Sequence, residues 1–147
     1  MINGNTALLA LIGQPVKHSL SPVMHNAALA AMHLNWCYLA FPCKAKDLKH
    51  VIDSLQAVNC RGLNITIPHK QSAANVCNNL SPLAKRLGAV NTLIPDQTGG
   101  WRGENTDVEG FLKPLQAKNQ EWKSCKAVVI GCGGSARAVV AGLQEMK

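Results

Sequence analysis

Over its first seventy residues the chain switches repeatedly between two hydrophobic periods, and this alternation limits the fold more than any other feature. Thr6 to Gly13 (TALLALIG) is an apolar run ending in glycine, as a buried strand requires. Pro22 to Leu34 is rich in alanine and leucine and reads as a helix, with Val23, Ala27, Ala30 and Ala31 able to face a core. Ser21 before Pro22 supplies helix-start chemistry, serine as N-cap and proline at the first helical position. Trp36 to Pro42 (WCYLAFP) is a second strand. Lys46 to Val58 returns to helical spacing through Leu48, Val51, Ile52 and Leu55. Gly62 to Ile67 alternates again, Leu63, Ile65 and Ile67 against Asn64 and Thr66, and should stop at Pro68, which cannot donate to a ladder. Strand-helix-strand-helix-strand predicts an open, mainly parallel twisted α/β sheet with helices on both faces.

The remainder extends that plan. Pro68 suits the first turn of a helix that continues over His69 to Asn78. Asn79-Leu80-Ser81-Pro82 repeats the serine-cap, proline-start pattern before a short helix, Leu83 to Leu87. Ala89 to Ile94 and Trp101 to Glu104 flank a turn (Asp96-Gln97-Thr98-Gly99-Gly100) and should pair as a hairpin. Asn105-Thr106-Asp107 should cap a helix over Val108 to Ala117. Lys118 to Ser124 is polar and forms the one credible link, and Lys126 to Ile130 reads as a fresh buried strand. The turn Gly131-Cys132-Gly133-Gly134-Ser135-Ala136 then opens a helix, Arg137 to Met146. The expected domains are residues 1–118, an α/β unit, and 119–147, the first β-turn-α unit of a truncated Rossmann-type domain.

Bulk properties exclude several classes. With 47% hydrophobic and 16% charged residues, the chain should be soluble and globular. No apolar run reaches bilayer-spanning length, and the N-terminus lacks the pattern of a secretory signal, so a cytoplasmic location is expected. The six cysteines show no metal-type spacing and read as small buried hydrophobes, so no metal is expected. A net charge of +7 raises nucleic acid as a partner, but the basic residues are scattered and only six aromatics are present. A small anionic ligand or phosphorylated cofactor accounts for the same charge, as would an ordinary basic surface.

Three motifs carry chemistry. Gly131, Gly133 and Ala136 form G-x-G-x-x-A after a predicted strand and before a helix, the context of a dinucleotide turn. Such a turn lets backbone approach a pyrophosphate while helix N–H groups face its charge. Ser19 and Ser21 flank one residue of the loop after the first strand and could hold a carboxylate; Ser21 could equally be a helix cap. Thr66 and Lys70 follow the third strand, Asn91 lies in the next strand and Asp107 at a helix start. Strand-end loops of a parallel sheet converge on one edge, which gathers hydroxyls, an amide, a lysine and a carboxylate around one pocket. That set suits a small polyhydroxylated acid, although Lys70 could also be a solvated helix-start residue, Asp107 a cap and Asn91 a satisfied strand-end amide.

These stretches together resemble the amino-terminal part of the shikimate dehydrogenase family. The matching segments are Ser19-Leu20-Ser21-Pro22 with His25-Asn26, Gly62 to Lys70 (GLNITIPHK), Gly88 to Thr92 (GAVNT), Gly103 to Gly110 (GENTDVEG) and Gly131 to Ala138 (GCGGSARA). They span nearly the whole chain in the family's order. The resemblance implies NADPH-dependent reduction of 3-dehydroshikimate to shikimate, in aromatic amino-acid and chorismate biosynthesis. It implies that Ser19 and Ser21 hold the substrate carboxylate, that Thr66, Asn91 and Asp107 bind ring oxygens, and that Lys70 and Asp107 form the catalytic pair. It implies NADP on Gly131, Gly133, Gly134, Ser135 and Ala136. The expected partner is shikimate or 3-dehydroshikimate, with neither nucleic acid nor membrane; a homodimer is compatible with the sequence, which does not set the oligomeric state. A Rossmann domain needs more strands and helices than follow Gly131, so the chain is expected to be a fragment. The alternatives are a non-catalytic shikimate-binding fragment and a quinate/shikimate dehydrogenase of the same family.

Overall fold

In a computed structural model, which describes residues 2–118, 120–122 and 124–146, β1 (Ala7–Gly13) runs between two parallel neighbours. These are β2 (Trp36–Pro42) and β3 (Gly62–Ile65). The sheet continues through β5 (Thr92–Pro95) and β6 (Trp101–Glu104) to β4 (Asn79–Leu80), giving the order β2-β1-β3-β5-β6-β4. β5 is antiparallel to both β3 and β6, whereas β4 is parallel to β6. The sheet is thus mixed, with its parallel half built from the strand-helix-strand-helix-strand segment.

Alternation along β1 serves both faces. Ala10 and Ile12 enter a core with Leu63, Ile65, Leu93 and Trp101, closed by Leu48 and Ile52 of α2 (Leu48–Ala57). Leu48, Val51, Ile52 and Leu55 recur at helical spacing and bring one face of α2 to the sheet. Leu11 faces the other way, against Val16, Tyr38 and Leu29 of α1 (Ser21–Ala31). A third cluster joins Leu87 of α4 (Pro82–Leu87), Val108 and Leu112 of α5 (Asp107–Gln116), and Ala138 and Ala141 of α6 (Gly134–Glu145).

Several expectations are corrected. Lys126 to Ile130 forms no strand; Val128 is 87% and Ile130 97% exposed. Nothing among the described residues pairs with this segment, and a strand is a product of its ladder. The predicted link Lys118 to Ser124 contains Asn119 and Lys123, which lie outside the described residues. The helix after Pro68 is only α3 (Lys70–Ala74), because the chain turns back at Asn79 to form β4, which propensity alone did not reveal. Pro68 does not occupy its first turn; it follows a cis Ile67–Pro68 bond, and His69 is the N-cap. Val23, Ala27, Ala30 and Ala31 all face outward on α1; the inward face is Pro22, His25, Asn26 and Leu29. Ser21 is not the N-cap of α1, a place taken by Leu20. The fourth predicted strand begins at Thr92 rather than Ala89, leaving Asn91 just outside it.

Other signals behave as read. Ser81 caps α4, its Oγ accepting from Ala84 N at 3.3 Å, and Gly88 ends that helix at φ 59°. Gly103 sits where a Cβ would come within 2.8 Å of Val90, Cys77 and Leu80 side chains, so only glycine lets β6 close over that core.

Candidate active site

Lys70 and Asp107 meet beside the end of β3. Lys70 opens α3 just past the turn that follows Ile65, and its backbone carbonyl accepts from Val90 N at 2.7 Å. That bond fixes the start of α3 against the segment leading to Asn91. Asp107 opens α5, where Asn105 Oδ1 accepts from Asp107 N at 3.0 Å. Asn105 is itself anchored, donating to Ala89 O at 2.9 Å from a buried position. The Asp107 side chain is therefore freed from capping, and its Oδ2 takes a 2.8 Å contact from Lys70 Nζ.

The pair is largely enclosed, with side chains 14% and 24% exposed for Lys70 and Asp107. A charge-assisted hydrogen bond in that setting is stronger than one in open water. Asn91 Nδ2 donates to the second carboxylate oxygen, Oδ1, at 3.0 Å, so both oxygens of Asp107 are held. Asn91 Oδ1 in turn accepts from Thr106 N at 3.0 Å and from Thr92 Oγ1 at 3.0 Å. Lys70 Nζ also reaches Ser135 Oγ at 3.2 Å, in the first turn of α6. Lysine, carboxylate, amide and a hydroxyl from the glycine turn thus form one connected cluster.

Of the sequence-predicted residues, Lys70, Asp107, Asn91 and Ser135 are in direct hydrogen-bonded contact. Thr66 follows β3, its N donating to Ile12 O at 2.9 Å and its methyl packed over Gly13. Ser19 lies on the loop that leaves the carboxyl end of β1, and Ser21 is the first residue of α1 beyond it. Only the capping alternative is overturned: Ser19 Oγ accepts from Ser21 N at 3.2 Å, and the Ser21 hydroxyl does not cap α1. Neither hydroxyl bonds to the Lys70 cluster among the described residues.

The glycine turn faces the same place. Gly131 has φ 120°, and Cβ atoms added at Gly131 or Gly133 would meet nothing within 4 Å. α6 has no side-chain cap at its N-terminus, so its first N–H groups remain available to an anion. Gly134 is different: a Cβ there would lie 2.9 Å from Lys70 Cβ. A cleft of about 430 Å³ runs between Pro68, Lys70 and Gln71 on one side and Gly131, Gly133 and Ser135 on the other. Open backbone, free helix N–H groups and a neighbouring ammonium fit a dinucleotide pyrophosphate. Two arginines fasten this helix to α4: Arg137 Nη1 donates to Leu87 O at 2.9 Å, and Arg86 pairs with Glu145 at 2.7 Å.

Sequence reasoning missed the buried Tyr38, the half-buried Thr92 and the exposed Thr106 as hydrogen-bond partners of the cluster. Tyr38 was legible in principle, since a phenol in an apolar strand needs a partner for its hydroxyl.

The site is thus an α/β domain that carries a lysine-carboxylate pair at its strand-end edge, facing a dinucleotide-type turn. A family profile described as the shikimate dehydrogenase substrate binding domain matches residues 11–93, and the chain belongs to that family. It is 52% identical over 145 residues to the shikimate dehydrogenase (NADP(+)) of Synechocystis sp., covering 99% of this chain and 50% of that protein. The crystal structure of shikimate dehydrogenase from Aquifex aeolicus is similar with a TM-score of 0.93 at 40% identity, over 99% of this chain and 55% of that one. The shikimate 5-dehydrogenase of Thermus thermophilus, in complex with NADP(H) and shikimate, superposes with a TM-score of 0.86 at 38% identity, over 95% and 52% of the two chains. The chain spans about half the length of the curated relatives it matches.

Proposed function

We propose that this chain supplies the substrate-binding half and the proton-handling residues of an NADPH-dependent shikimate dehydrogenase, which reduces 3-dehydroshikimate to shikimate reversibly. The observation that carries the reading is the 2.8 Å Lys70–Asp107 pair, braced by Asn91 and facing the glycine turn. Residues 1–118 act as the substrate-binding domain and 119–147 as the start of the NADP-binding domain. Lys70 Nζ delivers a proton to the carbonyl oxygen of the substrate as that carbon becomes an alcohol carbon. Asp107 holds the ammonium in place and accepts a ring hydroxyl, together with Thr66 and Asn91. Ser19 and Ser21 bind the carboxylate. Gly131, Gly133, Gly134, Ser135 and Ala136 would hold the NADPH pyrophosphate; when bound, NADPH supplies the hydride that reaches the carbonyl carbon.

Six unpaired cysteines agree with a reducing, cytoplasmic setting. Among the described residues no helix is long and apolar enough to cross a membrane. The unpaired edge of β2 and the exposed Val23 and Met24 of α1 support a homodimer, which light scattering of the purified chain tests.

A second reading, a shikimate-binding unit without turnover, is favoured by one observation: the 126–130 segment makes no ladder. Mixing the protein with shikimate and NADP while following nicotinamide absorbance separates the two, and calorimetry with shikimate alone tests what they share. Turnover that Lys70→Ala abolishes supports the first. Binding without turnover supports the second. An active Lys70→Ala variant would remove Lys70 from the chemistry, and absence of shikimate binding would overturn both readings.

A further inference from the structure

A chain of hydrogen bonds continues from Asp107 deep into the sheet and ends on a residue that no part of the proposed chemistry uses. Asp107 is a carboxylate and can only accept, so Asn91 must turn Nδ2 toward it, at 3.0 Å. Asn91 Oδ1 must then face donors, which are Thr106 N and the Thr92 hydroxyl, each at 3.0 Å. Having spent its proton on Asn91, Thr92 Oγ1 can only accept, and Asn64 Nδ2 donates to it at 3.2 Å. Asn64 Oδ1 is thereby aimed the other way and needs a donor. Tyr38 supplies one: its hydroxyl reaches across β1 and donates to Asn64 Oδ1 at 2.7 Å.

The start of this relay is firmly held. Tyr38 is 2% exposed, and the ring of His25 stacks on it at 4.3 Å with an interplanar angle of 15°. Asn26 grips the same residue's backbone from both sides, donating to Tyr38 O at 2.9 Å and accepting from Tyr38 N at 2.8 Å. The His25-Asn26 pair of α1 therefore clamps the tyrosine in strand β2.

We propose that Tyr38 is a positioning residue for the Lys70–Asp107 pair: its hydroxyl sets the orientation of the Asn64 amide and, through Thr92, of the Asn91 amide that holds Asp107. Each link has one polarity, fixed from the acceptor-only carboxylate and the Thr106 N–H onward, and Asn64 Nδ2 keeps that sense by also donating to Asn91 O at 3.4 Å. Removing the phenol oxygen leaves Asn64 Oδ1 without a donor inside the sheet. Rotation of the Asn64 amide would then set its oxygen against Thr92 Oγ1, which can satisfy it only by turning its proton away from Asn91 Oδ1, and against Asn91 O, which loses its donor. Buried polar networks of this kind lose more than one bond when one member is removed.

The inference rests on Lys70 and Asp107 being the reacting pair, and the test keeps the two ideas apart. Tyr38→Phe, Thr92→Val and the double variant are compared with the wild-type chain by two measurements. The first is the side-chain amide resonances of Asn91 in nitrogen-proton correlation spectra. The second is shikimate affinity by calorimetry. Each single variant should displace the Asn91 amide signals and weaken shikimate binding by about tenfold, the scale seen when an outer partner that orients a site ligand is removed. The double variant should be no weaker than the worse single one, because both cut the same relay. Thr92→Ser, which keeps the hydroxyl, should restore wild-type values. Unmoved Asn91 signals in a folded Tyr38→Phe variant, or fully additive losses in the double variant, would overturn the relay. If instead no variant and no wild-type chain binds shikimate, the functional reading fails, while the Asn91 signals still decide the relay by themselves.

Discussion

Strand β3 and the segment 126–130 are similar in length, and the second is the more apolar, yet only the first is a strand. β3 lies between β1 and β5, hydrogen-bonded on both sides, and buries Leu63 and Ile65 to 2% exposure each. Lys126 to Ile130 has more β-branched residues but no strand beside it among the described residues, and its Val128 and Ile130 are exposed. The difference shows that β-propensity measures fit to a partly buried ladder rather than an urge to be extended. It also separates two kinds of functional geometry. The lysine at the end of β3 inherits its position from a packed sheet. The glycine turn after Ile130 takes its position from the helix that follows it, fastened through Arg137 and Arg86 to α4.

The sharpest way to break this comparison is to cut equivalent side chains in the two regions. Ile65→Ala should lower the stability by about 2–5 kcal/mol, the cost of a cavity in a full core. Ile130→Ala should stay within about 0.5 kcal/mol, as an exposed change does. Denaturant unfolding with unchanged slope reads both, and equal losses would mean that 126–130 is packed in solution. A smaller contrast is expected between glycines. Gly103→Ala drives a methyl into Val90, Cys77 and Leu80 and should cost about 1–3 kcal/mol. Gly133→Ala enters open space and should leave unfolding nearly unchanged while weakening NADP binding, checked by nucleotide fluorescence titration. The mildest effect concerns the phenol above β3. Burial pushes the Tyr38 hydroxyl up from 10.0 to about 12. Its folded value exceeds the unfolded one, so the stability it contributes is complete below pH 10 and is lost as pH rises toward 12. Tyr38 is the sole tyrosine, so phenolate absorbance follows it without interference. A wild-type step near the unfolded value would show that the hydroxyl is not enclosed.

Much of the fold was legible because its first half is governed by local periods. Leu48, Val51, Ile52 and Leu55 announced the buried stripe of α2, and the alternation of Leu63 and Ile65 announced β3. Where neighbours decide, sequence reading failed. The alanines of α1 all lie on its exposed side, and its inward face is set by Leu29 and by Asn26 gripping Tyr38 rather than by an apolar stripe. The two-residue strand β4 exists only because β6 lies beside it. In the site, Lys70, Asn91 and Asp107 were found through the convergence of strand ends. The hydroxyls of Tyr38 and Thr92 were not, because the links between them cross four strands and leave no mark on sequence spacing.

Gly134 carries a consequence of its own. With 2.9 Å between the place a side chain would begin and Lys70 Cβ, that glycine acts as a ruler whose length is zero atoms. Any residue with a Cβ there must lift the glycine turn away from the lysine or bend the lysine away from Asp107. The spacing between the glycine turn and the Lys70–Asp107 pair is therefore set by a missing methyl group.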